Sequence, residues 1–274
     1  MTPSFIGRQK LDELYTFYDS REWVHPDPLE FLYAYQDLSD REVAALIASS
    51  LAYGRVGQIL KSVSSVLEKL GPSPRKFLES ATPEFIDLLF SDFRHRFTTG
   101  KDLVGMLIGA KSVVKKYGSL YACFLSGLNK KDETVFPALS CFVKALSGTS
   151  CESVNSLMPS PERGSACKRW NLFLRWMVRE DNVDPGGWRK VSPATLIIPL
   201  DTHMHRICLC LGLTEKKNTG IRTALEITRA FREIDPHDPV RYDFALTRLG
   251  IRKDADPETF LRGDWKASHT YKKL

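Results

Sequence analysis

Two residues offer the chain's most suggestive chemistry, an amine and a carboxylate each set at the start of a helix. Lys168 lies in MPSPERGSACKRWNLFLRW, behind a tight turn marked by Pro159, Pro161 and Gly164. Ser165 is placed to cap the helix behind that turn, which puts Lys168 in the helix's first turn. The partial positive charge of a helix N-terminus and the adjacent Arg169 both disfavour the ammonium form there. Partial burial acts the same way and favours the neutral amine that a nucleophile needs. The backbone N–H groups from Gly164 to Cys167 suit a phosphate oxygen. Asp201 occurs later, in LIIPLDTHMHRICLCLGL, where Pro-Leu-Asp-Thr-His reads as an N-cap, a role compatible with a second one. Each residue also has a plainer reading, Lys168 as a solvated surface lysine and Asp201 as a cap and nothing more.

Neighbouring side chains extend this candidate site. Leu172 and Trp176 follow Lys168 by one and two helical turns, roughly on its face, with Arg175 beside them. Leu172 reads equally as an ordinary core leucine. Trp170, Phe173 and Trp176 form an aromatic run better suited to a core than to stacking on single strands. His203 and His205, two apart on one helix, point to different faces.

Other chemistries lack their signatures. Cys123, Cys141, Cys151, Cys167, Cys208 and Cys210 are scattered without a Cys-x-x-Cys pair, and Cys208 and Cys210 point to different sides of one helix. The cysteines therefore read as reduced, mostly buried thiols. No structural zinc, iron–sulfur cluster or other cofactor is expected. Phosphate-cradling glycine loops, a dinucleotide fingerprint, His-Glu-x-x-His and Gly-x-Ser-x-Gly are all missing.

The elements that must position Lys168 and Asp201 read as helices. Ser39-Asp40-Arg41-Glu42 has the form of a capping box leading into VAALIASSLAYG, with Gly54 ending or interrupting the helix. QILKSVSSVLEKLG stops at Gly71 before a proline-containing breaker. PEFIDLLFSDF, DLVGMLIGAKSVVKKYG, GSLYACFLSGL and VFPALSCFVKALSG follow. A Ser-, Pro- and Gly-rich stretch from Gly148 to Gly164 reads as a connection between layers. Beyond it lie CKRWNLFLRWMVRE, THMHRICLCLGL, TALEITRAFREI and PVRYDFALTRLG, the last opened by Asp238-Pro239 as cap and first-turn proline. Strand alternation is absent, so the expected class is all-α.

The 274 residues suit about two domains or one large helical domain. Apolar residues make up 43% and charged residues 26%, which excludes a disordered tail and a disulfide scaffold. No apolar run approaches a membrane span, and MTPSFIGRQK has no export-signal pattern, so a cytoplasmic protein with no membrane partner is expected. The net charge is +6. Residues 1–160 hold 18 Lys and Arg against 18 Asp and Glu, while residues 161–274 hold 21 against 15. All of the excess thus lies in the portion that contains Lys168 and Asp201, a distribution compatible with a polyanionic partner. Arg94-His95-Arg96 and Lys115-Lys116 read as small basic clusters on a solvated face.

The segment GSACK resembles the hairpin-and-lysine element of the helix-hairpin-helix DNA glycosylases. LDTH followed by MHRICLCLGL resembles the aspartate motif of the endonuclease III-like branch. The long separation between the two is more similar to that of archaeal 8-oxoguanine DNA glycosylases. Over LIASSLAYGRVGQI, GSACKRWNLFLRWMVR, IIPLDTH and YDFALTRLGI, the chain resembles an uncharacterised bacterial family related to those enzymes. The hairpin departs from the usual Leu-Pro-Gly-x-Gly, since LMPSPERGSACK has inserted residues and a single glycine.

This resemblance implies a two-lobed helical fold acting as one unit, with residues 36–150 as one lobe and residues 1–35 together with 151–274 as the other. It implies double-stranded DNA carrying a damaged base or abasic site as partner, and, in a bacterium, a place at the nucleoid. Lys168 falls on the position that attacks C1′ of a flipped nucleotide, and Asp201 on the one that stabilises the sugar's developing charge. Leu172 and Trp176 become candidate walls of the base pocket. Gly164, Ser165, Arg169 and His203 become candidate phosphate contacts. SLAYGRVGQ resembles the loop that fills the gap left by the flipped base, with Tyr53, Arg55 and Gln58 as candidates. Two other readings stay open, a nucleic-acid-binding module without the chemistry and a helical interaction protein.

Overall fold

The computed structural model describes residues 7–148 and 155–251, and Cys151 and the basic residues from Arg252 onward lie outside them. The described chain is built from helices, in agreement with the sequence reading: α1 Arg8–Tyr18, α2 Leu38–Ser50, α3 Val56–Leu70, α4 Pro74–Ser80, α5 Pro83–Phe90, α6 Gly100–Tyr117, α7 Leu120–Ser126, α8 Phe136–Ser147, α9 Lys168–Val178, α10 Thr202–Cys210, α11 Ile221–Ile234 and α12 Asp243–Ile251. One small antiparallel hairpin departs from that reading, with β1 Arg94–His95 paired to β2 Thr98–Thr99. Its turn places Arg96 at φ 55°. No helix among the described residues is long and apolar enough to cross a membrane.

Two helices form the centre. α2 is buried on every residue from Glu42 to Ser50, and α9 on every residue from Trp170 to Val178. They pack on each other, and the buried apolar side chains join into one cluster that takes in Trp170, Phe173, Trp176 and Trp188. The aromatic run of α9 is therefore core, as its spacing suggests. Near the chain's two ends, α1 packs on α12, and α12 on α10. Tyr242 Oη bonds Asp12 Oδ1 at 2.7 Å across that contact.

Several boundaries differ from the sequence reading for physical reasons. The expected capping box at Ser39 is not formed, because Asp37 caps α2 by accepting from the N–H groups of Ser39 and Asp40. Glu42 turns inward instead, accepting from Leu120 N–H and Trp188 Nε1–H at 3.0 Å each. Asp238-Pro239 opens no helix. The Asp238 carboxylate is drawn to the buried Arg179 at 2.8 Å, and α12 begins at Asp243. The basic cluster at Arg94 is only partly solvated, since His95 is buried between Ser62 Oγ and Tyr53 O at 2.9 and 3.1 Å. Burial lowers the pKa of its imidazole from the ordinary histidine value, and the ring serves as a bracket for the Tyr53 loop.

Candidate active site

Lys168 is the first residue of α9, in the helix's first turn as its context suggests, but the cap in front of it is not Ser165. Cys167 occupies that position at φ 50° and ψ 39°, a left-handed conformation uncommon for a side chain with a Cβ. Ser165 Oγ accepts from the Cys167 N–H at 3.1 Å and holds the turn from outside the helix. A strained residue therefore stands immediately before the lysine.

Asp201 caps α10 as expected, and its two oxygens divide the work. Oδ1 accepts from the N–H groups of His203 and Met204 at 3.0 and 2.9 Å. Oδ2 faces Lys168, 3.7 Å from Nζ. The amine also donates to Ala52 O at 3.4 Å, at the end of α2. Lys168 and Asp201 keep 28% and 34% of their side chains exposed, so an incoming molecule can reach both. A cap fixes a carboxylate without neutralising its second oxygen, and a held but reachable carboxylate is what a developing positive charge requires.

Both residues open onto a cleft of about 540 Å³ between the N-terminal segment at Asp27, the Ala52–Gly54 loop, α9, the start of α10 and α12. That volume is in the range of small-ligand sites. Gly54 is at φ 100°, a backbone conformation that residues with a Cβ rarely adopt, and a Cβ there would also displace the Arg96 side chain, whose Cδ would lie 2.7 Å away.

Of the residues singled out from sequence, Tyr53, Lys168, Arg169, Leu172, Asp201 and His203 line the cleft. Trp176 does not; it is fully buried in the core. Helical phase gives the reason. At about 100° per residue, the side chain four after Lys168 is turned by about 40°, the one eight after by about 80°, and the one seven after by only about 20°. Arg175 accordingly takes the place on the lining that Trp176 was expected to hold. Arg55 and Gln58 are exposed at the start of α3 and lie off the lining. Gln58 bonds Ser62 Oγ at 3.3 Å. Gly164 and Ser165 lie in the exposed turn, also off the lining, where Gly164 adopts φ 78° and its carbonyl accepts from Ile221 N–H at 3.2 Å.

Arg169 faces inward. Its terminal nitrogens donate to Ser50 O and Ser156 O at 2.6 and 2.5 Å, and its guanidinium lies 5.0 Å from the centre of the Tyr53 ring. Expected as a phosphate contact, it is engaged instead in tying α9 to the end of α2. His203 is exposed on the rim, whereas His205 is buried with Nε2 bonded to Lys216 O at 2.7 Å, so the two histidines face opposite ways as their spacing requires.

Sequence reasoning passed over three features. Asp243 and Arg248 line the cleft from α12, and a signal was present: two charged residues inside the otherwise apolar DFALTRLG. Burial pushes the Asp243 carboxyl up while the Arg175 guanidinium pulls it down, and Asp201 and Lys168 lie near enough to act on it. Phe97, at the hairpin turn, is 65% exposed and stacked on Tyr53 at 5.0 Å. No glycine or proline marks that turn, so periodicity and composition give no hint of it. Among the described residues, no three His, Cys, Asp or Glu side chains are grouped to hold a metal ion.

Residues 27–252 match the family model described as "Protein of unknown function (DUF2400)". The chain belongs to the DUF2400 family. The DUF2400 match takes in Lys168, Asp201 and every residue lining the cleft except Pro26. Comparisons with curated proteins and with solved structures find no match.

Proposed function

We propose that this DUF2400 protein is a DNA base-excision glycosylase that also nicks the strand, with Lys168 as nucleophile and Asp201 as its partner carboxylate. The supporting observation is the single cleft in which Lys168 Nζ and Asp201 Oδ2 lie 3.7 Å apart, both reachable and both fixed by a helix start. The resemblance of GSACK and LDTH to helix-hairpin-helix glycosylases supplies the reaction class.

The reacting carbon is buried in a duplex, so the nucleotide must turn out into the cleft at a cost of a few kcal/mol of unstacking. The Lys168 amine forms a bond to C1′ as the C1′–base bond breaks, and the bonding pair leaves with the base, which takes up the proton that the amine loses by way of Asp201. Asp201 Oδ2 faces the positive charge that develops on the sugar and accepts the proton released by the attacking amine. Ring opening gives a Schiff base whose C2′ hydrogen is acidic. Loss of that proton expels the 3′-phosphate and cuts the strand. Leu172 supplies an apolar wall for the base.

The test is a borohydride trap with duplexes carrying 8-oxoguanine or an abasic site. A covalent adduct that disappears in Lys168→Gln supports the proposal. Absence of adduct across a lesion panel would sink it, and salt-sensitive binding without adduct would make the protein a binding module.

A further inference from the structure

Two buried polar atoms of cleft-lining residues have no use in this chemistry. Asp243 Oδ1 and Arg248 Nε are buried without a hydrogen-bond partner among the described residues, and both side chains belong to the lining shared with Lys168 and Asp201. Buried polar groups in folded proteins are nearly always partnered, so two orphans on one cavity wall require an explanation.

Neither group is loose. Asp243 is 1% exposed, and its other oxygen is held by Arg175 Nη1. Arg175 is gripped in turn by Asp184 at 3.1 Å. Arg248 is 5% exposed; its terminal nitrogens reach Asp27 Oδ2 at 2.5 Å and Trp23 O at 3.4 Å, and its guanidinium lies 4.4 Å from the centre of the Phe244 ring. The ion pair with Arg175 favours the ionised Asp243 carboxylate against the upward push of burial, and a guanidinium is a donor at any ordinary pH. The wall therefore offers one fixed acceptor and one fixed donor.

We propose that Asp243 and Arg248 select the base: Asp243 Oδ1 accepts from a ring N–H, and Arg248 Nε–H donates to a carbonyl oxygen, so the cleft takes bases with a lactam edge. This rests on the glycosylase reading and names its substrate class. Uracil, hypoxanthine, guanine and the oxidised purines carry such an edge. A base whose ring nitrogen is methylated presents a methyl group to a buried carboxylate and leaves it unpartnered. Sites built to hydrogen-bond a substrate N–H discriminate strongly against analogues without one.

Duplexes with a 2′-fluoro sugar, which resists cleavage of the base, separate recognition from chemistry. Binding is compared for hypoxanthine against its N1-methyl form, and for uracil against its N3-methyl form. Methylation weakens pairing and makes extrusion easier, so unpairing alone predicts tighter binding of the methylated bases. The expected result is the reverse, a loss of at least about tenfold on methylation, with the ratio falling towards one in Asp243→Asn. Melting curves establish whether that variant folds. If it does not, the wild-type ratio decides alone, and a ratio of one or a preference for methylated bases overturns the inference. A Lys168 adduct together with a ratio of one rejects base selection and leaves the glycosylase standing. No adduct removes both.

Discussion

Glu42 provides a test of how the centre of the fold is held. It sits on α2, 2% exposed, with one oxygen on Trp188 Nε1 and the other on the backbone N–H of Leu120. Burial pushes its carboxyl up from 4.5 to about 7, against the pull of those hydrogen bonds and of Arg75. Below about pH 4.5 the group is protonated in both the folded and unfolded states and contributes no pH dependence. Between 4.5 and 7 the unfolded chain has released the proton and the folded chain still binds it, so stability falls as pH rises, and it levels off above 7. Integrated between pH 5 and pH 8, the loss is about 2–3 kcal/mol. Other groups titrate in the same range, so the informative quantity is the difference between wild type and Glu42→Gln, measured by urea melts at several pH values. The amide carries a fixed penalty, because its NH₂ group must face one of the two donors, but it does not titrate. The variant should therefore gain about 2–3 kcal/mol relative to wild type over that span, roughly 5–10 °C in Tm for a domain of this size. A difference that stays flat with pH, or one that moves in favour of wild type, would refute the reasoning.

Asp201→Asn keeps a good cap and removes the charge, so stability should stay within about 0.5 kcal/mol while the borohydride adduct forms at least about a hundredfold more slowly. Asp201→Ala should lose both, with about 1 kcal/mol of stability gone in a urea melt. Arg169→Ala leaves Ser50 O and Ser156 O without their buried donor and should cost about 2–3 kcal/mol. Arg169→Lys should recover only part of that, because one ammonium cannot reach both carbonyls in the fork geometry. Phe97→Ala, at an exposed ring stacked on a cleft-lining tyrosine, should change Tm little. It should weaken binding of an abasic-site duplex by about 1 kcal/mol or more in a fluorescence titration, as expected for a ring that stacks on a base.

The helical class was legible because α3 and α11 carry strong apolar periodicity and end signals, such as Gly71 behind Leu70. Asp201 was legible for the same reason, since an aspartate between an apolar run and Thr-His has few other places to go. The failures share a cause: a local motif was read where a distant partner decides. Ser39 to Glu42 has the letters of a capping box, yet Trp188 and Leu120, far along the chain, take the glutamate. Asp238-Pro239 has the letters of a helix start, yet the buried Arg179 takes the aspartate. Arg169 follows Lys168 in a basic context, but the carbonyls it serves belong to α2 and the preceding loop. Local chemistry states what a side chain can do, and only packing states which partner reaches it first.

The charges beneath the cleft argue that its floor is built for position rather than stability. Arg175 and Arg179 are buried and paired with Asp184, Asp243, Asp181 and Asp238. Arrays of this kind are often no more stable than apolar side chains of similar volume, because desolvation offsets the attraction. Of this array Arg175 and Asp243 reach the cleft lining, where Asp243 lies on the same wall as Asp201. Under the proposed reaction the charge that appears in this space is positive, first on the sugar and then on the Schiff base. Asp201, fixed by its cap and facing that space, lowers the energy of the cation without having to reorganise as it forms. Arg169, Arg175 and Arg248 on the lining are already engaged by carbonyls or carboxylates, so under the proposed function the duplex backbone docks on the rim, at His203 and the exposed Arg55. Replacing Arg55 or His203 should then flatten the salt dependence of binding, whereas replacing Asp243 should change which base is held and leave that slope as it was. Equal effects on slope and selectivity from both kinds of substitution would show that rim and floor are not separate surfaces.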